Sequence, residues 1–335
     1  MNLALDPRQW FIKKAKKPKG LVGLSVSDHG ISISHGVMTN GELEILKLEF
    51  APIHGQGISS FVKNWVSKHK LNNADCHYVL DKSEYELELV ETPPVADDEL
   101  TEAVRWRLKD LISIPIEDTV IDIFPLPEDA YRGRMKMLYV VAVDRKVIAE
   151  KLKFIRECGL DPKVIDIEEM ALRNISLYLP DMEKGTIAIL SLKENSGEIL
   201  MFSSEAMYLS RSIEMGYVSL AEDLKSSATH KKNHDDEHHS HHEHSLTMER
   251  FILDIQRSLD YYESQLGKGI ASKVYLLPMG ADGLKLQQPL QKVLSPKVVD
   301  LACKQFIPMN ADIELTEFEE MHLLPVIGAV LRRVE

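Results

Sequence analysis

The chain has 335 residues, of which 44% are hydrophobic and 27% charged, and its formal net charge is −12. That length exceeds one compact core, so two lobes or several subdomains are expected, and the acidic balance argues against a general nucleic-acid binder. The three cysteines, Cys76, Cys158 and Cys303, are scattered without C-x-x-C spacing, which argues against a disulfide framework or zinc ribbon and fits a reducing cytoplasm.

In the first twenty residues, Asp6-Pro7 can open a short helix. Trp10, Phe11 and Ile12 are then followed by Lys13, Lys14, Lys16, Lys17 and Lys19. This mixture suits an anionic membrane surface, and the plain alternative is a solvated tail. No apolar core and cleavage site of a signal peptide follow. No segment approaches the ~20 apolar residues that span a bilayer; the runs at 137–143 and 323–331 are of core length.

Two regions repeat one pattern. Val22, Leu24 and Val26 alternate as in a half-buried strand, Asp28-His29-Gly30 turns the chain, Ile31 and Ile33 begin a second strand, and Asn40-Gly41 turns it into a third at 43–50. The pattern recurs as strands at 186–192, 198–202 and 207–213, followed by a helix beginning near Gly216. A duplicated three-strand meander implies two related lobes, with a ligand site favoured between them.

Helices flank the meanders. Residues 97–111 place Leu100, Val104, Leu108 and Leu111 on one face, behind Asp97, Asp98 and Glu99, and the chain breaks at Ile114-Pro115. Residues 145–158 follow a capping Asp144 and end at Gly159. Residues 247–266 carry an apolar stripe of Ile252, Ile255, Leu259, Tyr262 and Leu266. The last segment is an apolar helix whose Arg332 and Arg333 complement its dipole. Acidic pairs such as Glu168-Glu169 and Glu319-Glu320 read as solvated helix faces.

Seven of the thirteen histidines fall within 230–244. His234, His238 and His242 have i,i+4 spacing, a geometry that suits zinc, nickel or copper. With no apolar residue the segment cannot bury itself, so a surface loop and a regulatory metal site both stay open.

The meanders resemble the two phosphate-binding hairpins of actin-like (ribonuclease H-like) ATPases, which read strand, Asp, apolar residue, Gly, then a Ser/Thr-rich turn. By that register Ser25 and Ser27 stand in the Asp and Gly places of the first hairpin, and Ser191 and Lys193 in those of the second. Gly216 and Gly280 are what remains of the glycines around the rest of the cleft. Neither hairpin keeps its acidic magnesium ligand, so the resemblance implies a fold that no longer hydrolyses ATP; residual binding of ATP with magnesium stays open.

The segment 104–174, the helix 255–265 (IQRSLDYYESQ) and the tail LLPVIGAVLRR resemble the PilM-type components of type IV pilus machines, and most of all the MshI type of the mannose-sensitive haemagglutinin (MSHA) pilus. The cytoplasmic domain of the type II secretion protein GspL is a close relative in architecture. The resemblance implies an α/β, duplicated, two-lobed actin-like fold with an inserted small α+β subdomain. Its implied parts are a tail 1–20, a first lobe 21–85 completed by 161–180 and 320–335, an insert 86–160, and a second lobe 185–319 carrying a histidine-rich loop 228–246.

The implied role is a non-catalytic scaffold, cytoplasmic and peripheral on the inner membrane. It would dock the N-terminal segment of a bitopic PilN- or MshJ-like protein and link it to the motor ATPase, with no nucleic-acid partner. Applied residue by residue, the docking candidates are Arg105, Trp106, Lys109, Leu111, Ile114 and Pro115, with core packing as the alternative for Trp106. An ATP-dependent switch, a GspL-like secretion component and a metal-responsive regulator are the competing expectations.

Overall fold

A computed structural model describes residues 20–39, 42–55, 57–182, 185–222, 240–280 and 284–332. The basic tail before Gly20, the histidine-rich stretch 223–239 and Arg333 lie outside them, and with them the readings placed on Trp10 to Lys19, His234 and His238. Among the described residues no helix is long and apolar enough to cross a membrane.

The first meander folds as β1 (Leu21–Ser27), β2 (Gly30–Thr39) and β3 (Glu42–Ala51), antiparallel throughout. Helix α1 (Gly57–Lys68) returns the chain to β4 (Asp75–Val79), which pairs parallel with β1. After the insert comes β8 (Asp161–Asp166), parallel to β4, giving the order β3-β2-β1-β4-β8. The second meander, β9 (Ile187–Leu192), β10 (Gly197–Ser203) and β11 (Ala206–Ile213), continues through β12 (Lys273–Leu276) to β13 (Lys297–Asp300), and its sheet has the order β11-β10-β9-β12-β13. The two orders are the same.

A third sheet, β5-β7-β6, is formed by β5 (Glu86–Glu91), β6 (Thr119–Pro125) and β7 (Met137–Asp144). Helix α2 (Leu100–Leu108) covers it through Val104 and Leu108, which share a small core with Val90, Leu138 and Val140. The helix is shorter than the apolar spacing predicts. Asp97 to Glu99 form turns before it, and it ends six residues before Ile114. Leu111 therefore leaves the buried stripe and is 52% exposed. Asp144 caps α3 (Arg145–Glu157) by accepting from Lys146 N at 2.8 Å, and Ile155 of α3 joins the first-sheet core with Val62 and Trp65.

The connection between β6 and β7 reaches the second lobe, where Tyr208 Oη donates to Asp129 at 2.8 Å and Lys268 pairs with the same carboxylate. The third sheet thus touches both lobes.

The last helix, α7 (Glu317–Val330), crosses the first sheet, and α4 (Glu168–Ser176) packs against α7 and against β10 and β11 of the second sheet. A Thr316/Glu319 capping box starts α7, and Glu320 accepts from Cys303 N at 2.6 Å, so this acidic pair is structural rather than a solvated face. Ser32 and Ser34 donate to the carbonyls of His322 and Val326 at 2.7 Å, and Asn174 Nδ2 donates to Gly328 O at 3.0 Å. Gly328 is required by close approach, because a Cβ there would run into the Ala171 carbonyl of α4. Arg332 lies beyond α7 and donates to Asp166 Oδ2 at 2.6 Å, instead of completing the helix dipole.

Helix α5 (Ser240–Ser264) begins inside the histidine-rich segment, with His242 in its first turn, and buries Phe251, Ile255 and Tyr262. The short α6 (Gln287–Gln291) packs on β13.

Candidate functional site

The ends of β1 and β9 face each other across a cavity of about 430 Å³. Its walls include Ser25, Ser27 and Asp28 from the first hairpin, Ser191 and Lys193 from the second, and Lys82 and Glu168 between them. Four of the six cleft residues expected from sequence thus line one cavity. The other two adjoin it: a Cβ on Gly216 would meet the carbonyls of Lys193 and Glu194, and one on Gly280 would come within 3.0 Å of Tyr217 Oη and 3.3 Å of Met321 Cε.

The chemistry of these residues is largely engaged within the protein. Ser25, only 8% exposed, donates to Val79 O at 3.0 Å. Ser27 Oγ accepts from His29 N at 3.3 Å, which shapes the turn. Lys193 Nζ donates to Glu168 Oε2 at 2.7 Å. The helical stretch 217–222 starts at the cavity, where anions are commonly held by free N–H groups. Here Tyr217 N and Val218 N donate to the carbonyls of Lys193 and Glu194 at 2.9 and 3.1 Å. At the floor, His322 stacks on Phe50 with centroids 4.5 Å apart and meets Phe318 edge-on. Burial, with His29 and Lys193 beside it, lowers its pKa to about 4, so the ring packs as a neutral aromatic.

Behind the cavity lies a charge cluster that sequence reading missed. Glu169 is fully buried and Glu168, on the cavity wall, is half-buried and paired, which corrects their reading as a solvated face. Lys82 pairs with Glu169 and, at 2.9 Å, with Glu198 of β10. Tyr85 Oη donates to Glu169 Oε2 at 2.6 Å, Ser210 Oγ to Glu198 Oε1 at 2.8 Å, and Ser210 N to Tyr139 Oη at 2.9 Å. Burial, together with the neighbouring Glu169, raises the Glu198 pKa from 4.5 to about 7 against the opposing pull of Lys82. One signal was present in the sequence: Glu198 is a lone carboxylate in the apolar strand GEILMFS.

The docking candidates divide. Trp106 is 76% exposed, which removes core packing as its explanation, because it sits on the side of α2 opposite Val104 and Leu108. Lys109, Leu111 and Pro115 are exposed and Ile114 is half-buried. Arg105 instead works inside the subdomain, donating to the carbonyls of Ile116 and Thr119 at 2.9 and 3.3 Å. A larger hollow of about 1300 Å³ lies at the far end of the first sheet, around Leu21, Val37 and Val330, and collects none of the expected site residues.

No protein-family model and no curated protein matches the chain. Among solved structures, it is similar to the PilM–PilN type IV pilus biogenesis complex, with a TM-score of 0.68 and 17% identity over 93% of this chain and 98% of that one. The fold is that of the actin-like ATPases. More distant are a Bacteroides thetaiotaomicron protein with an actin-like ATPase fold and unknown function (TM-score 0.48, 12% identity, 87% and 93% of the two chains) and the cytoplasmic domain of EpsL, an inner membrane component of the Vibrio cholerae type II secretion system (0.47, 16%, 85% and 92%).

Proposed function

We propose that this chain is a non-catalytic docking scaffold of a type IV pilus assembly machine, of the MSHA-pilus kind. It takes the short N-terminal segment of a PilN- or MshJ-like bitopic membrane protein, works at the inner face of the membrane and passes contact on to the motor ATPase. The observation that carries this reading is the near-complete overlap with a PilM–PilN complex. The exposed Trp106 on the third sheet's helix, with the exposed Leu111 in the turn after it, supplies an anchor of the type found at interface hot spots.

The non-catalytic part rests on the hairpins. By strand register neither has a carboxylate in the Asp place, although Asp28 and Glu194 line the cavity; Ser25 is bonded to the sheet, and Lys193 is held by Glu168. These internal bonds support the non-catalytic reading, because a hydrolytic site needs free acidic groups to hold hydrated magnesium.

Titration with a synthetic peptide of the partner's N-terminal segment tests the docking role. Binding is expected, weakened roughly tenfold or more by Trp106→Ala; no binding by the parent protein would reject it. The second reading, an ATP-dependent switch, is favoured by the cavity between the hairpins. Micromolar ATP binding with phosphate release in calorimetric and phosphate assays would select it over the first.

A further inference from the structure

The cleft walls carry a reciprocal set of ion pairs. From the second lobe, Lys193 reaches Glu168 on α4, at 2.7 Å. From the first lobe, Lys82 reaches Glu198 on β10, at 2.9 Å, while also holding Glu169 beside Glu168. Each lobe thus sends one lysine to a glutamate of the other. In a fold whose lobes face each other across a ligand cleft, these lysines provide the bridging positive charge from the protein itself. We propose that this is a built-in clasp that holds the two lobes together without a ligand and keeps a proton on Glu198.

Three features carry the proposal. First, the pairs are supported on both sides: Glu168 and Glu169 sit in the first turn of α4, where the helix dipole favours carboxylates, and Glu198 is fixed by Ser210. Second, the charges do not balance. Among the described residues, Glu168, Glu169 and Glu198 pair only with Lys82 and Lys193, and the nearby Tyr85, Tyr139 and Ser210 are neutral hydrogen-bonding groups. Asp81, also on the cavity wall, adds further negative charge. A buried excess carboxylate is relieved by a proton, and Glu198 is the group pushed toward neutrality. Third, Tyr85 precedes β5 and Tyr139 lies within β7, so the clasp sits where the third sheet meets both lobes. Its opening would be felt on the sheet that carries α2.

The proposal does not depend on the docking role. Its test is the distance between spin labels on Ser67→Cys of α1 and Ser295→Cys of the second lobe, both exposed, in a chain whose described native cysteines are buried. The parent protein, with no ligand added, is expected to give one narrow distribution that broadens as pH rises from about 5 to about 8, the range over which a carboxyl of raised pKa ionises. Lys82→Met with Lys193→Met is expected to lengthen and broaden it at every pH. Glu198→Gln, which leaves an amide oxygen to accept from Lys82 and Ser210 as a protonated carboxyl does, is expected to keep it narrow throughout. Exchanging the outer pair, Glu168→Lys with Lys193→Glu, is expected to restore the parent distance, which separates the clasp from general damage to the fold. An unchanged distribution in the double lysine variant overturns the clasp. A parent distribution insensitive to pH, or a Glu198→Gln protein as sensitive as the parent, overturns the proton on Glu198.

Discussion

The two five-stranded sheets have one strand order but are joined to their surroundings differently. The second is an apolar block: Ile187 to Leu190 and Ile199 to Phe202 are almost completely buried, and Tyr262 of α5 is buried with them. The first is stitched to α7 by polar groups. Ser32 and Ser34 of β2 donate to two α7 carbonyls, His77 Nδ1 of β4 lies 2.9 Å from Ala329 O, and Asn174 ties α4 to the same helix. Apolar burial is tolerant of sliding, whereas directional hydrogen bonds fix one register. The first sheet is therefore the positioned half, and it is the half that presents α4 and its two glutamates to the cleft.

That contrast is tested most severely at the α4–α7 contact. Gly328→Val is expected to cost about 3 kcal/mol or more in urea unfolding, because overpacking against the Ala171 backbone cannot relax by rotating a side chain. A loss below about 1 kcal/mol would show that the helices are free to separate. Next is Tyr85→Phe, which removes a donor from the fully buried Glu169 and is expected to cost about 2 kcal/mol by the same measurement. Ser34→Ala is expected to cost about 1 kcal/mol, since one ordinary hydrogen bond to α7 is lost.

The pH dependence follows from Glu198. Its folded pKa lies above its unfolded one, so its contribution is fully present below about 4.5 and is lost as pH rises to about 7. Stability should therefore decline across that window, and Glu198→Gln should flatten the decline. Trp106→Ala should have the smallest effect on stability, within about 0.5 kcal/mol, because the ring is exposed.

Much of the architecture was legible in the chain. The alternation at Val22 to Val26 and the turns at Asp28-His29-Gly30 and Asn195-Ser196-Gly197 place both meanders, and Asp144 caps its helix as its position predicts. The same spacing overextended the helix at 97–111, because Leu111 continues an apolar period whose backbone has already turned. At the cleft, register alone brought Ser25, Ser27, Ser191 and Lys193 to one cavity. It did not find Lys82, Tyr85, Glu169 or Glu198, which are scattered from 82 to 198 and share no local motif.

What the sequence determined by itself was what local rules govern: periodicity, turn chemistry and capping. What only the tertiary structure decided was where charge is buried. Glu168-Glu169 looks the same on a wet helix and on a dry one. It is paired here because turns distant in the chain bring two lysines to it and the packing buries Glu169 completely.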